Sequence, residues 1–401
     1  MKMKQSLFLL IGIVLLFSVI VSGCGNPNNE GTEPSAAPSN QQESTTDSES
    51  NASEEIIEPI KINIQSDRPV LSTGPNGNTA TAATTLELTV EDIKKIKEGN
   101  YTAAIALHFA GNDWSSTQAR GLQETFAKMG IEVVAVTDAN FKSEKQVSDI
   151  ETVLAKNPDI MVSIPVDPVS TAPAYKKAAE QGVKLVFMDN IPQGFKHNED
   201  FVSIVSADNY GNGVVAAEIM GEHLAGKGKI GVLYFDADFF VTNQRTEAFE
   251  KTIAEKYPDI EIIERSGFTD ANDTFSVANA MLTKHSDLDG IFAVWDLPAE
   301  GVLSAVRQAG REDDLVITTI DLGKNAALNI AKGGAIKGLG AQRPYDQGVA
   351  EAILAGYSLL GKETPPYVAL PALKVVESNV QDAWKQVYYQ DAPQEIQEAV
   401  K

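Results

Sequence analysis

From Tyr101 onward, short and nearly continuous apolar runs alternate with longer stretches of helical period. The runs are TAAIALHF, EVVAVTD, DIMVSIPV, KLVFMDN, FVSIVSA, KIGVLYFD, IEIIERSGF, GIFAVWD, LVITTID and AIKGLGAQ. Continuous rather than alternating hydrophobicity marks strands covered on both faces, as in a parallel sheet between helix layers. Thr117 to Met129 sets Leu122 and Phe126 on one helical face and stops at Gly130; Glu144 to Lys156 does the same with Val147, Ile150 and Leu154, stopping before Asn157 and Pro158. Tyr210 to Leu224, Arg245 to Tyr257 and Pro344 to Leu360 end at Gly226, Pro258 and Gly361, the residues that terminate helices. Strands alternating with helices of this length predict repeated βαβ units.

The pattern also echoes itself. NPDIMVSIPVDPVSTA and HSDLDGIFAVWDLPAEG share an acidic lead-in, an apolar strand, an Asp at its end and a Pro soon after; YTAAIALHFAGNDW and KGKIGVLYFDADFF each run from a strand into an aromatic and acidic turn. Two matching α/β halves are the economical reading.

Upstream the chain reads differently. Lys2 and Lys4 precede an apolar stretch from Leu7 to Val21, and small residues then lead to Cys24. This order is that of a secretory signal; the competing reading of the same segment is an N-terminal anchor helix. Gly25 to Glu55 holds no Val, Ile, Leu, Met, Phe, Trp or Tyr, so it has nothing to bury against its ordering entropy and is expected to be a leash. Between Ile56 and Thr85, IIEPIKINI fits a short strand and STGPNGNTATAATT reads as loop, and the pattern assigns no fold to them.

Cys24 is the only cysteine of the 401 residues, which rules out an intramolecular disulfide and a cysteine metal cluster. The formal net charge of −22 becomes −24 when the signal leaves with its two lysines. Such acidity argues against nucleic acid and anionic lipid as partners and favours a solvated monomer.

In open parallel sheets ligands bind beyond the carboxyl ends of the strands. Those positions hold Asn112, Asp113 and Trp114; Asp138; Asp167; Asp189 and Asn190; Asp236, Asp238, Phe239 and Phe240; Phe268; Trp295 and Asp296; Asp321; and Gln342 and Arg343. Carboxylates and amides hydrogen-bond hydroxyls while flat rings cover C–H faces, the chemistry of a neutral polyhydroxylated ligand. Singly, each has a plainer reading: an Asp after a strand is more often a cap or turn residue, and Asp167 and Asp296 are expected to cap the helices that follow. Trp114 and Trp295 could equally be core.

Other motifs fail. GKGKIG fits G-x-G-x-x-G but precedes a strand instead of joining one to a helix. His108, His197, His223 and His285 lack metal-ligand spacing and are expected to be packing or surface residues. No cofactor is expected, and no nucleophile elbow is present. Asp236 and Asp238 are the closest approach to a glycosidase pair, in a chain where adjacent acidic turn residues are common.

With these strand ends in view, the chain from about Tyr101 to about Val376 resembles the type I periplasmic substrate-binding proteins of the ribose-binding group, which serve ABC transporters. GNDWSS supplies Asn112 and Trp114, with Ser115 where that group has a second aromatic. MDN keeps Asp189 and puts Asn190 at an arginine position. RTEAF supplies Arg245, TIDLG supplies Asp321, GAQRP supplies Gln342, and Phe268 resembles an inter-lobe phenylalanine. AVWD places Trp295 where the group has a ligand-contacting Asn, which tips that residue from core to floor of the site. The lone Cys24 likewise resembles a lipoprotein cleavage site, which implies cleavage before it and a lipid on its sulfur.

The resemblance implies an α/β fold of two similar doubly wound parallel-sheet lobes joined by a three-strand hinge, with crossings near Ala207, Gln342 and Pro371. Residues 1–23 would be the signal, 24–58 the leash and 59–99 an N-terminal extension of unassigned fold. Lobe one would be 100–207 with 343–371, and lobe two 208–342 with 372–401. The function implied is capture without catalysis: a lipid-anchored, extracytoplasmic protein closes on a monosaccharide or sugar alcohol and delivers it to a membrane permease. Exchanging an arginine and an amide for Asn190 and Trp295 favours a pentose, tetritol or pentitol. A sensory binding protein for a receptor or kinase, and a secreted glycoside-processing enzyme, are the alternatives.

Overall fold

The computed structural model describes residues 56–400, Asp67 excepted. The expected signal, Cys24 and the leash through Glu55 lie outside the described residues; of the last three residues expected in the leash, 56–58, Ile57 packs against the first-lobe core. The chain begins with short strands β1 (Ile60–Lys61), β2 (Thr81–Ala82) and β3 (Glu87–Leu88) and helix α1 (Val90–Glu98). A first series follows: β4 (Thr102–Leu107), α2 (Asp113–Lys128), β5 (Glu132–Asp138), α3 (Ser143–Leu154), β6 (Ile160–Ser163), α4 (Ala172–Glu180), β7 (Lys184–Met188) and β8 (Ser203–Ala207). The second is α5 (Asn209–His223), β9 (Lys227–Phe235), α6 (Phe240–Lys256), β10 (Asp259–Phe268), α7 (Thr274–Lys284), β11 (Gly290–Ala293), α8 (Asp296–Gln308), β12 (Val316–Ile320), α9 (Lys324–Ala331) and β13 (Ile336–Ala341). The last part is α10 (Pro344–Leu359), β14 (Tyr367–Leu370), β15 (Leu373–Val376), α11 (Val380–Tyr388) and α12 (Gln394–Ala399).

Every apolar run read from the sequence is a strand, β4 to β13. They form two sheets, a seven-stranded one in the order β2-β14-β8-β7-β6-β4-β5 and a six-stranded one in the order β10-β9-β11-β12-β13-β15. Each series therefore starts at an inner strand, adds its second strand on one side and the rest on the other, the doubly wound arrangement. The result is two similar α/β lobes. The first sheet is parallel throughout, and the second departs from the expected parallel pattern only at β15, which runs antiparallel to β13.

Helix α2 starts earlier than apolar periodicity predicts, because a helix begins at its cap and not at its first buried side chain, and α6 starts at Phe240, ahead of the expected Arg245, with Val241 already buried. Asn112 accepts from the Ser115 N–H and caps α2, whose first residue, Asp113, lies four residues before the expected Thr117. The chain passes between lobes after Ala207, after Ala341 and after Leu370. Past the second crossing α10 lies on α2 of the first lobe at very short range: a Cβ added at Gly121 would sit 2.3 Å from the Tyr345 carbonyl oxygen, and one at Gly348 2.3 Å from that of Gln118. Only glycine permits that approach.

The N-terminal extension is folded. Ile60, Ile62, Leu86, Leu88, Ile93 and Ile96 enter the first-lobe core, and Thr89 and Asp92 close a capping box on α1. IIEPIKINI contributes only the two residues of β1, paired antiparallel with β3. The stretch between, read as loop, carries β2 onto the edge of the first sheet and a chain of bonds across the hinge. Leu71 N and Ser72 N donate to the Asp208 carboxylate, Ser72 Oγ bonds Asp208 Oδ1 at 2.8 Å and accepts from Tyr210 N, Gln244 Nε2 donates to the Thr73 carbonyl, and Arg68 pairs with Glu218 at 2.8 Å.

Candidate functional site

The strand ends of the two lobes face each other and are in contact. Lys324 N, at the start of α9, donates to Asp113 Oδ2 at the start of α2, 3.1 Å away. Arg120 of α2 donates to the Tyr388 carbonyl, and Tyr389 Oη donates to Asp346 Oδ1 of α10 at 2.7 Å.

Two groups of side chains meet between the lobes. One is charged. Arg245 on α6, 4% exposed, donates Nε to Asn209 Oδ1 at 2.8 Å and Nη1 to Asp321 Oδ2 at 3.2 Å. Gln342, at the second crossing, donates Nε2 to the other oxygen of Asp321 at 2.7 Å. Asp189, 3% exposed at the end of β7, accepts from Ser206 Oγ at 2.5 Å. Burial pushes the Asp189 carboxyl up to about 6, opposed by the Ser206 bond and by the nearby Arg245. Asp189 and Asp321 both have positive φ, 56° and 72°, a strained conformation for a non-glycine residue that clusters at functional sites. Asp296 is pushed up by burial and by the neighbouring Asp321.

The other group is aromatic. Trp295 packs its ring edge against Phe235, 5.4 Å between centroids, and lies 5.2 Å from Phe268. Phe235 meets Phe239 at 6.2 Å, and Phe239 stacks across the cleft on His108 at 6.5 Å. His108 in turn meets Trp114 and Phe141 edge to face. Rings from both lobes thus form one continuous wall.

Around these groups several buried polar atoms make no hydrogen bond: His108 Nδ1, Trp114 Nε1, Ser115 Oγ, Asn190 Nδ2, Gln342 Oε1 and Arg343 Nε. Native interiors leave few such atoms unpaired, because each costs about 1–3 kcal/mol. These atoms belong to residues that follow the strands β4, β7 and β13.

Of the residues picked from the sequence, the structure brings Arg245, Asp321, Gln342 and Asp189 into one electrostatic cluster, and Trp295, Phe268 and Trp114 into the ring wall. Ser115 is fully buried beside them in sequence, and Asn190 is 6% exposed. Asn112 is exposed, and its Oδ1 is committed to capping α2. Asp296 does not cap α8: Trp295 holds that position, and Asp296 Oδ1 accepts from Leu297 N inside the first turn. Asp167 folds the turn before α4, accepting from Val169 N and Ser170 N.

Phe239 stood among the strand-end positions, whereas Asn209, Ser206 and His108 were not chosen from the sequence. His108 is a packing residue as expected, but at the cleft, where burial lowers its pKa to about 4 and keeps the ring neutral. Only the strand-end rule points to it. Asp236 and Asp238 line a groove of about 610 Å³ with Phe235, Glu247, Glu250 and Arg265, which borders the ring wall at Phe235. Among the described residues no group of three His, Cys, Asp or Glu is placed to hold a metal ion.

A sequence profile of the periplasmic binding protein domain matches residues 103–364. The ribose import binding protein RbsB of Bacillus subtilis (strain 168) is 25% identical over 271 residues, covering 68% of this chain and 86% of that protein. The D-ribose/D-allose-binding protein of Pseudomonas aeruginosa is 29% identical over 231 residues, 56% of this chain and 70% of its own. Among solved structures, an ABC transporter solute-binding protein from Agrobacterium vitis, bound with α-D-tagatopyranose, superposes with a TM-score of 0.66 at 26% identity, over 72% of this chain and all of that one. The chain, with its two doubly wound lobes meeting at their strand ends, belongs to the periplasmic binding protein family.

Proposed function

We propose that the protein captures a small neutral sugar or sugar alcohol, a pentose, tetritol or pentitol, between its lobes and presents it to an ABC transporter permease. The observation that carries this reading is the set of unpaired buried donors and acceptors facing a ring wall, which matches a molecule with hydroxyls on its edges and C–H groups on its faces. The relatives named for ribose, and the neighbour bound with a ketohexose, favour the same class. Trp114, Ser115, Asp189, Asn190 and Asn112, through its remaining amide, would contact the ligand from the first lobe. Arg245, Phe268, Trp295 and Asp321 would do so from the second, with Gln342 at the crossing. A ligand touching both lobes stabilises their closed arrangement because only there are all its bonds made.

Cleavage before Cys24 and a lipid on its sulfur would hold the protein, as a monomer, at the outer face of the membrane near its permease. Replacing Cys24 with Ser would then release it into the medium.

A thermal-shift screen against pentoses, hexoses and four- to six-carbon polyols tests the capture reading. A ligand binding only the folded state adds roughly 2.7 kcal/mol of stability at a hundredfold excess over its Kd. A shift confined to one or two stereoisomers identifies the cargo, and no shift with any compound sinks the sugar reading.

A further inference from the structure

The N-terminal extension is anchored in the first lobe and grips the second. Ile57, Ile60, Ile62 and Ile64 are seated on the first-lobe core, and β2 rejoins the first sheet beside β14. Gly74 lies so close to β14 that a Cβ added there would sit 2.9 Å from Tyr367 Cγ. Between these anchors, residues 68–73 bond to the second lobe at three places. Ser72 donates its N–H and its hydroxyl to Asp208, at the first crossing where α5 begins. Arg68 pairs at 2.8 Å with Glu218 of α5, which also receives Lys256 of its own lobe. The Thr73 carbonyl accepts from Gln244 Nε2 of α6 at 2.9 Å. Gln244 is 8% exposed and its Oε1 is unpaired, so Thr73 is the one hydrogen-bond partner of this side chain among the described residues.

We propose that this segment is a clasp that holds the two lobes near the arrangement seen here, with their strand ends in contact, before any ligand arrives. Lobes joined by a few crossings rotate about them as a hinge. Asp208 lies at the pivot, so its bonds to Ser72 change little in such a rotation. Glu218 stands about 15 Å farther along α5 by helical rise, and Gln244 stands on the neighbouring α6. Both are carried away from Arg68 and Thr73 when the second lobe swings off the first. Their bonds to the extension belong to the arrangement in which Lys324 N meets Asp113, and they weight the equilibrium toward it. The inference goes beyond the capture reading and does not depend on the cargo. For any ligand that needs both lobes, apparent affinity scales with the fraction of molecules already so arranged. Residues 68–73 precede residue 103, where the match to the periplasmic binding protein domain begins, so the clasp is an addition to that domain.

The test places spin labels on Val169→Cys and Leu297→Cys, exposed positions beyond the strand ends of the first and second lobes. The full mature chain carries Cys24→Ser, which removes its only native cysteine. Bound ligand is stripped by dialysis through urea, and the distance between the labels is read by pulsed electron resonance. Arg68→Ala with Gln244→Leu removes both bonds that lie off the pivot. Thr89→Ala loosens the same extension at the cap of α1, where its bonds are to Asp92. The double variant is expected to populate a longer distance that the intact clasp and Thr89→Ala do not. Arg68→Ala alone breaks a partly exposed ion pair and is expected to move part of the population the same way, which decides the matter if the double variant fails to fold. Equal distances with and without the clasp bonds overturn the proposal, since the extension would then travel with the second lobe. An equal lengthening in Thr89→Ala overturns it too, because any loosening of the extension would then suffice.

Discussion

Asp189 and Asp321 occupy the same position in the two lobes: each is the first residue after the fourth strand of its series, β7 or β12, and each has positive φ. Their environments differ. Asp321 is held by Arg245 and Gln342, whereas Asp189 has the hydroxyl of Ser206 and no ion pair among the described residues. The two carboxylates therefore respond in opposite ways to neutralisation.

Asp321→Asn leaves the buried Arg245 without its counter-charge and is expected to destabilise the ligand-free protein by about 3 kcal/mol. Asp189→Asn removes a buried carboxylate lacking an ion pair and is expected to stabilise it by roughly 2 kcal/mol near pH 7.5. Both are expected to lower ligand affinity. Urea unfolding with ligand titration checks the pair, and equal destabilisation by the two would refute the asymmetry.

The same feature sets a pH dependence. The Asp189 carboxyl is raised from its ordinary 3.8 to about 6 in the folded protein, so the fold binds its proton more tightly than the unfolded chain does. Its contribution to stability is complete below pH 3.8 and is lost as pH rises through 6. Asp346, raised by burial to about 6, acts in the same direction. His108, lowered to about 4, acts in the opposite one: its contribution is present above 6.5 and lost as pH falls through 4. The difference in unfolding temperature between wild type and Asp189→Asn isolates the first of these. It should move against wild type from about pH 4 to 7 and then level off; a difference independent of pH would contradict the assignment.

Trp295 serves two roles, since its ring is packed on Phe235 and Phe268 and remains half-buried at the cleft. Trp295→Ala is expected to cost about 3 kcal/mol of stability and about tenfold or more in ligand affinity. Lower stability with unchanged affinity would leave the ring as core alone.

Ser72 is 4% exposed and its hydroxyl joins Asp208 to the Tyr210 N–H. Ser72→Ala removes the acceptor of the Tyr210 N–H and one of the three donors to Asp208 Oδ1, and should lower stability by about 1 kcal/mol in urea unfolding. Arg68→Ala, whose ion pair with Glu218 is partly exposed, should cost less than about 1 kcal/mol.

The strands were legible because a strand covered on both faces must be apolar at nearly every position, as in KIGVLYF and GIFAV. Helix starts were less so: Asn112 caps α2 well before the periodic Leu122 and Phe126, and α6 begins at Phe240, five residues ahead of the expected Arg245. The strand-end rule found Asp189, Trp295 and Asp321, since chain direction alone puts them at the cleft. It could not show that Gln118, Gln347 and Glu351 are buried, because a polar residue in a helical pattern reads as solvent-facing until a second helix is known to cover it. Nor could spacing foretell that Arg245 and Asp321 would bond to each other, which leaves Arg245 Nη2 clear of these bonds. The extension was opaque because its strands are two residues long and its bonds to Asp208 and Gln244 span well over a hundred positions.

That extension also decides how the molecule takes a load. The chain enters the fold through Ile57, Ile60, Ile62 and Ile64, all seated on the first-lobe core, before it reaches the bonds at Arg68 to Thr73 that span the hinge. A pull on the chain ahead of Ile57 would therefore meet this apolar plug in the first lobe before it reached the bonds at the hinge. Were the N-terminus held, the load would fall first on one lobe, and the bonds that join the two lobes would lie behind it.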